Sequence, residues 1–148
     1  MGIPGPKINP EDLVYVAVRD LEKPENYFIN KFNINFIEVE EVKKKGAAEM
    51  ARRALNMLDH CDLIYVSFDV DSIDSRFSTG TGTPVPNGLT VEEAKTFNAE
   101  LCKDPHVCAY EIVEVNPTLD TENRMAESAF EILEAAAKSI ETRPVLAE

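Results

Sequence analysis

Four short apolar runs recur along the chain and are typical of β-strands. They are LVYVAV at 13–18, INFIEV at 34–39, LIYVSFD at 63–69 and VCAYEIVEV at 107–115. The first and third are almost continuous runs of β-branched and aromatic residues, a pattern typical of parallel strands covered by helices. We therefore expect these segments to form one sheet that is buried on both faces.

Two helical patterns lie between the first three strands. Pro24 is suited to the first position of a short helix that continues into ENYFINKF, because the first N–H groups of a helix are unpaired in any case. The second pattern covers residues 41–58 and contains Gly46 as a weak point. Its apolar face consists of Ala47, Met50, Ala51, Ala54 and Leu58.

Two further helices are predicted in the second part of the chain. Thr90 and Glu93 have the spacing of a capping box, which predicts a helix that ends near Cys102. The last helix begins near 120–121, and we expect its apolar stripe to pack against the sheet. That stripe consists of Met125, Ala129, Leu133, Ala136 and Ile140. The alternation of strands and helices predicts one α/β domain over residues 1–148, with a parallel sheet in a three-layer αβα arrangement.

The composition narrows the class of protein. The chain has 148 residues, the size of one domain, and a formal net charge of −12 from 27 acidic and 15 basic residues. That sign argues against binding to the phosphate backbone of a nucleic acid. No apolar run approaches the length of a membrane span, and the start MGIPGPKINP lacks the features of a signal peptide. We therefore expect a cytoplasmic protein that does not contact a membrane.

The thiol and imidazole side chains form no recognisable motif. The three cysteines, Cys61, Cys102 and Cys108, lack C-x-x-C spacing, which indicates free, buried thiols in a reducing compartment. His60 and His106 lie at element edges in polar surroundings, and we expect both to be surface or loop residues.

Charged residues gather at the predicted carboxyl ends of the strands. Arg19 and Asp20 end the first strand, Asp69 closes the third, and Glu114 lies near the end of the fourth. In a parallel sheet these ends meet at one edge, which is where such sheets bind ligands. This edge is therefore the predicted functional site.

Asp69 and Asp71 are the candidate metal ligands. In an extended segment, residues two apart project to the same side, and a divalent cation relieves the repulsion between two carboxylates. Ligation by oxygen alone favours manganese or magnesium over zinc. Solvated aspartates of a turn have the same D-x-D spacing, so the spacing leaves both interpretations open.

The loop that follows, SRFSTGTGTPVPNGLT, carries hydroxyl groups at Thr79, Thr81 and Thr83. These side chains would hydrogen-bond a polar ligand, or the loop would simply be a surface segment shaped by its glycines. The composition of the loop favours the second interpretation.

Three motifs together resemble a known family. SFDVDSID, TGTGTPVPNGLT and EIVEVNPTLD, in this order and spacing, are similar to the second half of the arginase, or ureohydrolase, family. The likeness extends from about Asp12 to about Ile140. It implies the three-layer fold of that family and a site with two manganese ions, at which a hydroxide attacks the guanidinium carbon of the substrate. Arginase releases L-ornithine and urea from L-arginine in this way.

The resemblance also implies roles for individual residues. Asp69 and Asp71 would be metal ligands, and Glu114 would be the catalytic-site carboxylate that accepts hydrogen bonds from the guanidinium. Thr83 would lie in the substrate-side loop, whereas Asp74 is assigned to the structure of the loop. Glu22 stands where arginases commonly have an aspartate that contacts the α-amino group of the substrate. The EVNP segment favours arginase or formimidoylglutamase over agmatinase. Arginase is the preferred activity, and formimidoylglutamase and agmatinase remain the alternatives.

The resemblance is incomplete. The other metal ligands of the family come from a Gly-Gly-Asp-His segment and a second histidine-containing segment, and neither occurs here. Because Asp69 and Asp71 are only part of the usual ligand set, we expect the isolated chain to be inactive. Half of a sheet also has an exposed edge, which predicts a homo-oligomer or pairing with the missing half.

Three classes of function follow from these patterns. The first is a hydrolase of guanidino substrates, the second is a non-catalytic half-domain that acts by association, and the third is an unrelated magnesium-dependent α/β protein. The missing histidine motifs favour the second class for the isolated chain and the first class for its parent. The lack of a glycine-rich phosphate loop after the first strand argues against the third.

Overall fold

A computed structural model describes residues 2 and 4–145 of the chain. The strands of this part are β1 (Val14–Val16), β2 (Asn35–Ile37), β3 (Ile64–Asp69) and β4 (Val107–Val113). The helices are α1 (Lys23–Phe32), α2 (Val39–Lys45), α3 (Ala47–Met57), α4 (Val91–Leu101) and α5 (Arg124–Thr142). Parallel strands alternate with helices, so the predicted α/β fold is confirmed.

The strands pair in two separate sheets within the described residues. β1 pairs in parallel with β2, and β3 pairs in parallel with β4. An apolar gap of about 190 Å³ lies between β1 and β3 and is lined by side chains of both strands. The expectation of one continuous sheet is therefore wrong within the described chain, because this gap takes the place of a ladder between β1 and β3.

The expectation that the strands are buried on both faces is also wrong. Along β3, Ile64 and Phe68 are buried, whereas Tyr65 between them is 59% exposed. Tyr15 of β1 is exposed as well. Side chains of a strand alternate between its two faces. One face of β3 thus packs into the core, and the described helices do not cover the other.

The predicted helix at 41–58 is divided in two. Gly46 separates α2 from α3 with a φ of +95°, a conformation that glycine adopts more readily than other residues. Ala47, Met50, Ala51 and Ala54 are buried as predicted, while Leu58 lies beyond the end of α3 and is half-buried.

The helices of the second part follow the predicted boundaries closely. At the start of α4 the Thr90 N–H donates to Glu93 Oε2 at 2.8 Å, and the Glu93 N–H donates to Thr90 Oγ1 at 3.1 Å. α5 packs against α4, and its buried residues also share apolar clusters with the strand residues Phe68, Ile64 and Val107, so the predicted packing against the sheet is confirmed. Its buried residues are Met125, Ala129, Ile132, Ala136 and Ser139. Leu133 and Ile140 of the predicted stripe are exposed, because the buried positions alternate four- and three-residue spacings and so stay on one face of the helix.

The cysteines and histidines differ in their surroundings. Cys102 is buried and Cys61 is half-buried, but Cys108 is exposed, so the expectation of buried thiols is wrong for Cys108. It lies on the outward side of β4. His60 and His106 are both exposed, as predicted. None of the described helices has the length and apolarity that a membrane span requires.

The long loop after β3 folds back on itself around Asp74. This carboxylate is fully buried, and Arg76 Nε and Nη2 donate to its two oxygens, each at 3.0 Å. The Asp74 N–H donates to Leu89 O at 2.9 Å, which closes the loop. A Cβ on Gly88 would lie 2.5 Å from Ser72 O, so this close approach requires glycine. Asp74 thus has the structural role in the loop that the sequence predicts.

We expect Asp74→Asn to destabilise the fold by about 1–3 kcal/mol at neutral pH, because charge-assisted hydrogen bonds are lost. Hydrogen bonds from Arg76 lower the pKa of Asp74 from 3.8 to about 2. A carboxylate with a lowered pKa stabilises the fold above its unfolded-state pKa, and this contribution is lost as the pH falls through the folded-state value. The difference in stability between the original chain and the variant is therefore expected to shrink between pH 3.8 and about 2.

Urea denaturation followed by circular dichroism across this pH range measures the effect. Asp62→Asn is the matched control, because Asp62 is an exposed aspartate. Equal stability of the two variants at neutral pH, or a difference that does not change down to pH 2, would contradict the assignment.

Candidate metal and substrate site

The site begins where β3 ends. Asp69 is the last residue of the strand, and a 3-10 turn, Val70–Ser72, follows it. The Asp71 N–H donates to Asp69 Oδ1 at 2.7 Å, which holds the Asp69 carboxylate against the turn. Asp69 and Asp71 both line a cleft of about 320 Å³ at the carboxyl ends of β1 and β3. The turn, and not the extended segment that we expected, brings the two side chains to the same cleft.

Thr81 fixes the second of these carboxylates. Its side chain is buried, and its hydroxyl contacts both the Asp71 carboxylate and the Glu114 backbone carbonyl, the latter at 2.9 Å. Because a hydroxyl has one hydrogen, it donates to one of these acceptors at a time. Thr81 thus joins the turn after β3 to the end of β4, whereas Thr79 and Thr83 are exposed. Of these two, Thr83 lines the cleft.

Glu114 approaches the same place from β4. Its backbone has a φ of +67°, which is uncommon for a residue with a side chain. Its Oε2 lies 3.7 Å from where a Cβ on Gly82 would be, so the carboxylate lies against the glycine-rich loop. Its charge is close enough to act on Asp69. The ends of β3 and β4 therefore bring three carboxylates, those of Asp69, Asp71 and Glu114, into one neighbourhood.

Burial and the repulsion between carboxylates both act on this group. Desolvation raises the pKa of Asp69 above its ordinary value, and the carboxylates of Asp71 and Glu114 raise it further. The hydrogen bond from the Asp71 N–H acts in the opposite direction. Asp20 and Glu25 line the cleft together with Asp69 and Asp71, whereas Glu114 is not among the residues that line it. A cation in the cleft would relieve this repulsion.

Arg19 lies at the end of β1 and lines the cleft, but it is bound to backbone atoms. Its guanidinium donates to the carbonyl oxygens of Asp71 (3.0 Å), Ser72 (3.3 Å), Ile73 (3.2 Å), Val85 (2.5 Å) and Pro86 (3.0 Å). These acceptors belong to two segments, the turn that carries Asp71 and the returning part of the loop. Arg19 therefore acts mainly by holding these two segments in position, and less by neutralising the carboxylates of the cleft.

Glu22 lies apart from these residues. It precedes α1 as its cap residue, is exposed, and its N–H donates to Glu25 Oε2 at 2.7 Å. Glu25, and not Glu22, is among the residues that line the cleft. The role of Glu22 in substrate binding stays a prediction.

The fit to a metal ion is partial. Asp69 and Asp71 offer the carboxylate oxygens that a hard cation such as manganese prefers, and they face the same cleft. No histidine is among the described residues that line it. The cleft thus supplies part of an oxygen shell, and the described lining does not complete it.

Sequence reasoning missed the residues that hold the site together. Arg19 was recognised as a charged strand end, but not as the donor that joins two loop segments. Asp120 was recognised only as a helix start. Its carboxylate accepts hydrogen bonds from the N–H groups of Met125 (2.9 Å) and Ala126 (3.0 Å), while Ser78 Oγ donates to it at 3.4 Å. The contacts of Arg19 and the contact between Ser78 and Asp120 join residues that are distant in the chain, so local patterns carry no signal for them. The contacts of Asp120 with Met125 and Ala126 are local ones at the start of α5.

Comparison with known proteins agrees with the motifs. A profile of the Arginase family matches residues 3–138. The arginase of Entamoeba histolytica is 36% identical over 115 residues, which are 78% of this chain and 39% of the arginase. The arginase of Bacillus subtilis is 31% identical over 130 residues, which are 88% of this chain and 44% of the arginase.

Solved structures give the same result. The crystal structure of the Bacillus subtilis arginase superimposes with a TM-score of 0.84 at 29% identity, over 97% of this chain and 48% of that one. A formimidoylglutamase from Bacillus subtilis superimposes with a TM-score of 0.85 at 26% identity, over 92% of this chain and 43% of that one. The chain thus spans less than half the length of these relatives. On sequence and fold together, the chain belongs to the arginase family.

Proposed function

We propose that this chain carries the carboxylate half of the active site of a manganese-dependent ureohydrolase. The reaction is the hydrolysis of a guanidino or amidine C–N bond, and L-arginine, which gives L-ornithine and urea, is the first candidate substrate. The observation that carries the proposal is the meeting of Asp69, Asp71 and Glu114 at the ends of two adjacent strands.

Each of these residues has its own role in the proposed reaction. Manganese, when bound, supplies the activation of water for attack on the guanidinium carbon. Asp69 and Asp71 hold the metal, and Glu114 accepts hydrogen bonds from the guanidinium, which orients the carbon that is attacked. Thr81 and Arg19 keep Asp71 in place. Thr83 lies on the side of the cleft where the rest of the substrate would extend.

The isolated chain is proposed to be inactive with every substrate of the family. Two carboxylates cannot complete the coordination of a metal pair, and the described residues that line the cleft include no histidine. The choice of substrate stays between arginine, N-formimidoyl-L-glutamate and agmatine. The likeness to both arginases and a formimidoylglutamase supports keeping the first two together.

The remaining ligands are proposed to come from the part of the family domain that this chain does not contain. The gap between β1 and β3 supports this proposal, because it separates two strands whose facing edges are not paired with each other. An added apolar strand would satisfy both edges. When that part is absent, we expect copies of this chain to associate through the same edges.

The exposed apolar side chains also support association. Tyr15 and Tyr65 lie at the gap and are 37% and 59% exposed.

We further propose a cytoplasmic location, since three free cysteines without C-x-x-C spacing suit a reducing compartment.

Metal binding is the first test of the proposal. We expect manganese to bind the 148-residue chain in titration calorimetry. Asp69→Ala and Asp71→Ala are each expected to weaken binding by at least about tenfold, since even the loss of an outer contact has an effect of this size. Glu49→Ala, which removes an exposed acidic side chain on α3, is the control and should bind as the original chain does. Unchanged affinity in both aspartate variants would refute the metal site.

Assembly and activity form the second test. The probe is the segment of Bacillus subtilis arginase that does not align with this chain. We expect the chain alone to sediment as a dimer or larger species, and the mixture to form a one-to-one complex that releases urea from arginine in the presence of manganese. Parallel assays with N-formimidoyl-L-glutamate and agmatine identify the substrate.

A matched pair of variants locates the contact. Tyr65→Asp places a charge at the gap, whereas Phe130→Asp places one on α5, where Phe130 is 66% exposed and does not line the gap. We expect only Tyr65→Asp to prevent association. If the chain stays monomeric and does not bind the added segment, that result would argue against the proposed pairing.

A further inference from the structure

A second group of potential ligands lies outside the cleft, at the amino ends of β1 and β3. It consists of Asp12, at the end of the 3-10 helix before β1, and of His60 and Cys61, in the segment between α3 and β3. The ligand atoms of these three side chains all lie within 4.8 Å of one another. From this arrangement we propose that Asp12, His60 and Cys61 form a binding site for a zinc-class ion.

The distances suit a tetrahedral ion. Asp12 Oδ1 lies 3.0 Å from His60 Nε2 and 3.9 Å from Cys61 Sγ. Ligands at the usual zinc distances of about 2.0–2.3 Å define tetrahedral edges of about 3.3–3.8 Å. The three ligand atoms lie within 4.8 Å of one another, so small movements of these half-buried and exposed side chains would bring them around one ion. The fourth position is left to water.

Asp12 is held in the orientation that the site requires. The N–H and the side-chain amide of Asn9 donate to Asp12 Oδ2 at 3.1 and 3.0 Å. The other oxygen, Oδ1, therefore faces His60 and Cys61. Hydrogen bonds from Asn9 and His60 lower the pKa of Asp12, so the carboxylate is ionised at neutral pH. A ligand that is oriented by an outer hydrogen bond is a common feature of metal sites.

The chemistry of the donors selects the class of ion. One thiol, one imidazole and one carboxylate form a mixed set that suits zinc or cobalt, whereas manganese and magnesium prefer oxygen alone. Desolvation raises the pKa of the Cys61 thiol, and the carboxylates of Asp12, Asp62 and Asp59 raise it further. Binding therefore displaces the thiol proton into solvent, while the same carboxylates attract the cation.

The position of the site gives it a structural role. Asp12 precedes β1 of one sheet, and Cys61 precedes β3 of the other, across the apolar gap between the sheets. An ion held by both would link the two sheets at this end. This role is independent of the proposed enzymatic activity, and it concerns residues at the opposite end of β1 and β3 from Asp69 and Asp71.

Cobalt is the probe, because a cobalt–thiolate bond gives a charge-transfer absorption that carboxylates and water do not give. We expect Co²⁺ added to the reduced full-length chain to produce this band together with the visible bands of tetrahedral cobalt, and Zn²⁺ to abolish both. Cys61→Ser is expected to remove the charge-transfer band. Cys108→Ser, which alters an exposed cysteine elsewhere, is expected to keep it.

Two further variants separate this site from other possibilities. Asn9→Ala is expected to weaken cobalt binding by at most about tenfold without removing the band, because it removes the side-chain hydrogen bond to Asp12 but leaves the backbone hydrogen bond and every ligand in place. The double variant Asp69→Ala, Asp71→Ala is expected to bind cobalt as the original chain does. A chain without the band, or a band that persists in Cys61→Ser, would overturn the proposal.

Discussion

The site depends on the hydrogen bonds that the guanidinium group of Arg19 donates to backbone carbonyl groups. β1 and β3 belong to different sheets, and within the described residues no backbone ladder connects them. Arg19 extends from the end of β1 and binds carbonyl groups on both sides of the loop that follows β3. Arginine is suited to this task because it has five N–H donors in a rigid plane, whereas lysine has a single charged centre.

The carboxylates depend on this scaffold in turn. Asp71 is held from its backbone by Arg19 and from its side chain by Thr81, so it stays close to Asp69 in spite of the repulsion between them. Glu114 adds a third negative charge from a neighbouring strand. A fold tolerates such crowding when the backbone around it is strongly constrained, and the crowding favours a positively charged occupant. The contacts that stabilise the loop therefore also hold the carboxylates of the site close together.

The sequence predicted what local patterns determine. The α/β alternation, the capping box at Thr90 and the buried alanines of α3 follow from periodicity and capping rules, and the structure confirms them. The sequence did not reveal the division of the sheet, because apolar periodicity shows that a strand is buried but not which strand lies next to it. The exposed side of β3 was missed for the same reason.

The candidate site was also predicted only in part from the sequence. Asp69 and Asp71 stand out because acidic residues directly follow an apolar strand, and both line the cleft. The supporting roles of Arg19 and Thr81 depend on contacts between distant parts of the chain. Glu22 and Glu25 show where prediction from sequence ends. They are three residues apart, and only the structure shows that Glu25 is the one that lines the cleft. Position along the chain does not determine which side chain at a helix start faces the cleft.

The division into two sheets also affects how the chain folds. Each ladder joins strands that are consecutive in the chain, so the β1–β2 and β3–β4 units each close a single crossover. Loop closure of this kind has a lower entropic cost than pairing between distant strands. The two units are joined by one shared apolar core and by the hydrogen bonds of Arg19. The cleft lies between the units, so it has its shape only when this core and the Arg19 contacts are both in place.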